Sequence, residues 1–311
     1  MTVLRKFMQL TAVAVVAMLM VSCADEKKTS SVAEKGNMIP DGAVVAMKVN
    51  AQQLFDKVAG DPDSEFYKYF QLNKENMPVD VASLGINVEE PIVISGTADL
   101  EEIMYDEAAF DAYLVALLDD SKAFIKNIDD LSVMLKYAGI TLTKETVNDD
   151  AYYWCNVQEG MYVDMSVSSK AVVVRYKYDE DVVETDLKES IFALFSNGGP
   201  QRTDGLDEFY AVKSDIALWM DAETLVNMAM PFIKMSEPAM AAQLNAYVPM
   251  YEGASVVADL NFEDGQTVLK VKSFGQEQMK LYASKYNAVP SGRFLEIMPA
   301  TSVVAGNVAI K

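Results

Sequence analysis

Between residues 120 and 180 the spacing of apolar side chains changes from three and four to two, which confines the chain to folds that combine helices with antiparallel strands. Phe124, Ile128, Leu131, Leu135 and Ala138 fall four, three, four and three apart, so they share one helical face, and Gly139 supplies a stop. Asp120 stands before this stretch, where its carboxylate can accept bonds from the first free helix amides. Further on, Met161, Val163, Met165 and Val167 alternate with Tyr162, Asp164 and Ser166, the pattern of a half-buried strand whose second set faces outward. Ile140 to Val147, Ala151 to Val157 and Ala171 to Tyr178 are further strand candidates, separated by the turn residues Asn148-Asp149-Asp150 and Ser168-Ser169-Lys170. Four short strands joined by turns predict an antiparallel meander.

A strand, a capping residue and an apolar pair four residues after the cap recur three times. Ala43 to Val49 leads through Asn50 to Leu54 and Phe55, Tyr113 to Leu118 through Asp120 to Phe124 and Ile125, and Ile216 to Met220 through Asp221 to Leu225 and Val226. Val183, Leu187, Ile191 and Leu194 predict another helix, which stops before the loop Asn197-Gly198-Gly199-Pro200. Pro231 is expected to interrupt the helix opened by Asp221, with a second helical segment from Ala239 to Tyr247. Val256 to Phe262 and Thr267 to Phe274 read as a hairpin through Glu263-Asp264-Gly265, and Gln276 to Tyr286 as a final helix. The expectation is an α+β fold of meander and hairpins with helices packed on the sheets, divided into subdomains 38–200 and 201–296. Pro299-Ala300-Thr301-Ser302-Val303-Val304-Ala305 repeats the pattern of Pro40-Asp41-Gly42-Ala43-Val44-Val45-Ala46, so 297–311 is expected to be a strand resembling the start of a repeated unit. Such a strand either closes the sheet or belongs to a longer protein; Ser255-Val256-Val257-Ala258 shows that runs of this composition also recur by chance.

Residues 1–22 have the three zones of a secretory signal: basic Arg5 and Lys6, an apolar stretch from Phe7 to Val21, and Ser22 before a cysteine. The stretch is shorter than the roughly 20 residues that span a bilayer as a helix. Met20-Val21-Ser22-Cys23 resembles a lipobox, which implies cleavage before Cys23 and lipid on its sulfur. An ordinary cleaved signal or an uncleaved anchor are the competing readings. Residues 23–37 are charged and poor in large apolar groups, as in a flexible tether. Ala24-Asp25-Glu26-Lys27-Lys28 resembles the export signal of surface lipoproteins. The expected place is therefore the outer membrane, facing the cell surface or, alternatively, the periplasm.

Removing the leader's two basic residues changes the formal net charge from −20 to −22, a balance that opposes nucleic acid and anionic headgroups. The body, left with Cys155 alone once Cys23 is lipidated, can form no intrachain disulfide; the apolar alternation around Cys155 predicts burial.

The chain has no histidine, which removes Ser-His and Cys-His nucleophile pairs and imidazole metal ligands. No glycine precedes a lysine and no two glycines are separated by one residue, so neither a P-loop nor a dinucleotide fingerprint is present. Two carboxylates about 5–10 Å apart could still hydrolyse a glycoside, but 46 acidic residues allow no pair to be chosen. The acidic loops Asp61-Pro62-Asp63-Ser64-Glu65 and Asp179-Glu180-Asp181 lack EF-hand spacing, so no metal and no cofactor are expected. Alternation puts Tyr152 with Trp154 on one face of a strand, where the two rings could stack on a sugar or a partner. Packing beneath a helix is the stronger reading of the same pair.

The leader and lipobox, Met38-Ile39-Pro40-Asp41-Gly42-Ala43-Val44-Val45-Ala46-Met47-Lys48-Val49-Asn50, and Asp215-Ile216-Ala217-Leu218-Trp219-Met220-Asp221 together resemble the Bacteroidota lipoproteins grouped as domain of unknown function 4836. The resemblance implies a fold and an address, with no functional residues to carry over. The expected function is a noncatalytic binding or structural module of the cell envelope with a protein or glycan partner. A carboxylate-dependent glycan hydrolase is the alternative.

Overall fold

The computed structural model describes residues 38–40, 42–59, 84–99, 109–137, 139–147, 150–158, 160–178, 191, 204–263 and 266–275. Their order is β1 (Val45–Val49), α1 (Ala51–Ala59), β2 (Ile92–Asp99), β3 (Ala109–Leu117), α2 (Ser121–Tyr137), β4 (Thr143–Val147), β5 (Asp150–Gln158), β6 (Met161–Val167), β7 (Ala171–Tyr178), α3 (Asp204–Ala211), β8 (Ile216–Asp221), α4 (Ala222–Ser236), α5 (Pro238–Leu244), a 3-10 turn (Val248–Tyr251), β9 (Ser255–Glu263) and β10 (Gln266–Phe274). The fold is a mixed one of sheet and helix. Its ten described strands form one antiparallel sheet in the order β10-β9-β8-β1-β2-β3-β7-β6-β5-β4.

Two compact units share these elements. The first takes the described residues up to Asp221 together with those of Val256–Lys272, and the second takes Ala222–Ser255 and the described residues 273–275. β8 pairs along its length with β1, from Val45 opposite Met220 to Val49 opposite Ile216, so a late strand completes the sheet that the first strand began.

In the first unit, one sheet face carries the apolar core. Ile92, Ala116, Val172, Met165, Val167 and Tyr153 meet Phe124 of α2, and Ile125 and Ile128 pack against them. Each of the larger of these, such as Ile92, Met165, Val167, Val172 and Phe124, contributes about 1.5–3 kcal/mol when removed from water. The helix above is held at both ends: Asp120 Oδ1 accepts from the amides of Lys122 and Ala123 at 3.0 Å, and Gly139, at φ +83°, sits where the chain turns away.

Gly85 is a second position where glycine is required. Its φ is +76°, its carbonyl accepts from the Asp119 and Asp120 amides, and an added Cβ would run into the Asp120 backbone carbonyl. Gly85→Ala should cost at least about 2 kcal/mol, since left-handed strain alone is worth about 1–2 kcal/mol. A chemical denaturation midpoint measures it, and an unchanged midpoint would refute the assignment.

Pro231 does not interrupt the helix: α4 runs through it from Ala222 to Ser236. The ring removes one helix hydrogen bond, but the segment is exposed, so water can take the freed carbonyl. The expected leader, tether, 276–286 helix and 297–311 strand, the loop 197–200, and most of the 183–194 stripe lie outside the described residues; only Ile191 of that stripe is described, and it is buried.

Candidate binding site

The outward set of β6 is not outward. Asp164 and Ser166 are buried, and Asp164 lies directly across from Arg175 of β7, both 1% exposed. Arg175 Nε donates to Asp164 Oδ1 at 2.8 Å and Nη2 to Oδ2 at 2.7 Å; the Tyr152 hydroxyl donates to Oδ2 at 3.0 Å. Beside this pair, the Tyr113 hydroxyl donates to Asp111 Oδ2 at 2.9 Å, and Lys177 Nζ lies 3.4 Å from Asp111 Oδ1. Burial, with the nearby aspartates, pushes the phenols of Tyr113 and Tyr152 well above the usual tyrosine range. Burial also pushes Asp164 upward, against two guanidinium bonds that favour its charge. Both Asp164 oxygens are occupied by donors, so this carboxylate is built to hold strands together rather than to move protons.

Lys48 occupies the same sheet face in β1. Its ammonium donates to the carbonyls of Phe209 at 2.6 Å, Tyr210 at 3.1 Å and Val212 at 2.7 Å, at the C-terminal end of α3, where the helix dipole favours a cation. It also lies 5.4 Å from the centre of the Phe209 ring. Burial lowers its pKa to about 8, which leaves it charged at neutral pH. Asp215, before β8, is likewise neutralised: Lys57 Nζ donates to its two oxygens at 2.8 and 2.7 Å and the Phe262 amide donates at 2.6 Å. Three buried ionic groups of the first unit are therefore each tied to several partners.

The second unit differs in kind. α4, α5 and the 3-10 turn wall a groove of about 380 Å³ lined by Val226, Ala229, Met230, Ile233, Leu244, Tyr247, Val248, Met250 and Tyr251. No charged side chain is among them. The volume is within the usual range of small-ligand pockets, and the lining suits an apolar occupant. Val226, Met230 and Ile233 come from one helix at spacings of four and three, while Pro249 within the 3-10 turn keeps Val248, Met250 and Tyr251 in a tight bend facing that helix.

Tyr152 is 0% exposed and Trp154 is half-buried, with its indole N–H lacking a hydrogen-bond acceptor among the described residues. Their shared face is therefore closed at Tyr152 and does not form the open stacking platform suggested by the run of aromatics. Asp164 claims the Tyr152 hydroxyl instead. Cys155 is buried and burial raises its thiol pKa, which disfavours the reactive thiolate. Cys23 and the two acidic loops lie outside the described residues. Among the described residues no group of three His, Cys, Asp or Glu side chains could hold a metal ion, and no helix is long and apolar enough to cross a membrane.

Sequence reasoning missed the Asp164–Arg175 pair, the Lys48 site and the groove. A signal for the first existed: Asp164, the one acid of β6, falls opposite Arg175, one of the two bases of β7, once the two strands are paired through the Ser168-Ser169-Lys170 turn. The groove had a weaker one, the scarcity of charge between Thr224 and Tyr251.

No family model matches the chain, and no curated protein matches it. Among solved structures it is similar to crystal form I of TP0453, at 10% identity and a TM-score of 0.35, over 81% of this chain and 85% of that one.

Proposed function

We propose that the chain is a lipid-anchored protein of the cell envelope, held at the outer membrane through Cys23, that acts as a noncatalytic binding or structural module. The observation that carries this reading is the groove of the second unit, an accessible concave surface whose lining holds no charged side chain and can exclude water. Two further features support it: Asp164 and Asp215, the buried acids with the fullest sets of partners, are bound to Arg175 and Lys57, and the leader and lipobox point to the envelope. The resemblance to the Bacteroidota lipoproteins of domain of unknown function 4836 agrees with that address. In its finer architecture the body reads as a recurrent strand, cap and helix unit that begins again at 297–311.

Two measurements test the proposal. Mass spectrometry of the mature N-terminus should show acylated Cys23; an unmodified thiol or a retained leader would remove the anchor. Titration of the full mature chain with the neutral fluorescent probe N-phenyl-1-naphthylamine should saturate at one site. Val248→Asp, which places a charge in an apolar wall, should weaken that binding about tenfold or more with unchanged circular dichroism. Failure to saturate would refute the groove, and release of reducing ends from envelope glycans by the purified chain would establish the hydrolase instead.

A further inference from the structure

α4 has more apolar surface than its groove uses. Val226, Ala229, Met230 and Ile233 line the groove, while Leu225, Met228, Phe232 and Met235, spaced three, four and three apart, form a second stripe beside them. Leu225 and Phe232 are exposed and Met235 is 72% exposed. No residue of α4 is buried. Met240 and Tyr247, exposed in and just after α5, extend the apolar surface of the same unit. We propose that this outward stripe of α4 rests in the headgroup region of the lipid bilayer to which the chain is anchored, so that the groove opens close to the membrane surface.

This rests on the anchor through Cys23. Three observations select a bilayer over other occupants. Fourteen residues separate Cys23 from Met38, a tether that reaches at most about 50 Å when fully extended, so the body never leaves the neighbourhood of the lipid and a weak surface affinity is sufficient to dock it. The 28 residues from Thr224 to Tyr251 contain only Lys234 and Glu237 as charged side chains and sum to zero, in a chain of formal net charge −20. This segment can approach headgroups without the repulsion that the rest of the chain would meet at an anionic surface. Finally, a helix of 15 residues presents a stripe of roughly 22 by 10 Å, well below the roughly 800 Å² per partner of a stable protein interface. Two copies, each strongly acidic, would also repel. An amphipathic helix lying in the interface needs no such area when a covalent lipid already holds the chain there.

The test uses the acylated full chain with Cys155→Ala and Met235→Cys, labelled with an environment-sensitive nitrobenzoxadiazole dye and reconstituted in phosphatidylcholine vesicles. Flotation reports the anchor, and quenching of the dye by spin-labelled lipid reports the stripe. The expected result is flotation together with blue-shifted, quenchable emission at position 235 and water-like emission from the same dye at Lys126→Cys on α2. Phe232→Glu with Leu225→Glu should reduce the quenching at position 235 about tenfold while flotation persists. Floating chains with water-like emission at 235 overturn the docking alone, whereas chains that do not float overturn the anchor and the docking with it. A blue shift that appears without vesicles and grows with protein concentration identifies a second copy as the occupant and also overturns the proposal.

Discussion

Arg175→Met is expected to destabilise the first unit by about 3–5 kcal/mol, the usual cost of removing one partner from a buried ion pair. The substitution leaves the Asp164 carboxylate, with a side chain 0% exposed, holding only the Tyr152 hydroxyl in place of two guanidinium bonds. Stability of a domain this size is itself about 5–15 kcal/mol, so a lower denaturant midpoint or outright unfolding is the expected readout. The double variant Asp164→Leu with Arg175→Met removes both charges together and should recover most of the loss, because well-packed apolar pairs of similar volume replace buried ion pairs at little cost. A double variant as unstable as the single one would show that the pair's charges are not what the surroundings require. Trp154 Nε1, Ser95 Oγ and Ser166 Oγ lack protein partners among the described residues, which makes this face the more sensitive one to any further loss of a polar contact.

Lys48→Met is expected to cost about 3 kcal/mol near neutral pH. It removes a cation that satisfies three carbonyls at the end of α3, and bonds to charged groups are worth about 1.5–3 kcal/mol each before the remaining groups relax. Its pH dependence is distinctive. Between the folded pKa of about 8 and the ordinary value of 10.5, the unfolded chain keeps a proton at this lysine that the folded chain has released. Stability contributed at this position therefore rises with pH across that window. The gap between wild type and Lys48→Met should widen by about 2 kcal/mol from pH 7.5 to pH 10, since each unit is worth about 1.4 kcal/mol. Measurements stop there because Tyr113 and Tyr152, whose folded values are raised, act in the opposite sense above the ordinary tyrosine range. A gap that narrows toward pH 10 would refute the depressed lysine.

Much of the local structure was legible because it depends on neighbours in the chain. The four-three spacing from Phe124 to Leu135 marks a helix whose Phe124, Ile125 and Ile128 do join the core, and Asp120 is placed where its carboxylate meets free amides. The parity of Met161, Val163, Met165 and Val167 correctly separates the core side of β6 from the other side, with Met165 and Val167 in the core. That parity could not say whether the other side meets water. Tyr152 and Trp154 were singled out for being aromatic, whereas their environment depends on Asp164 and Arg175 on two other strands. Pro231 shows the same limit in reverse: a local rule against proline loses where the freed carbonyl faces solvent.

The sequence by itself determined the helix from Asp120 with its cap, the strands of the 143–178 stretch and the two faces of β6, because these follow from interactions within a few residues, whereas β2 and α3 carried no periodicity that marked them. Only the tertiary structure decided that β8 pairs with β1, that Lys48 reaches carbonyls more than 160 residues away, and that Asp164 is buried against a strand partner. It also left Leu225, Phe232 and Met235 of α4 exposed. Burial of a polar group is a balance between desolvation and the partners that arrive from elsewhere in the chain, and those partners exist only once the strands have been ordered.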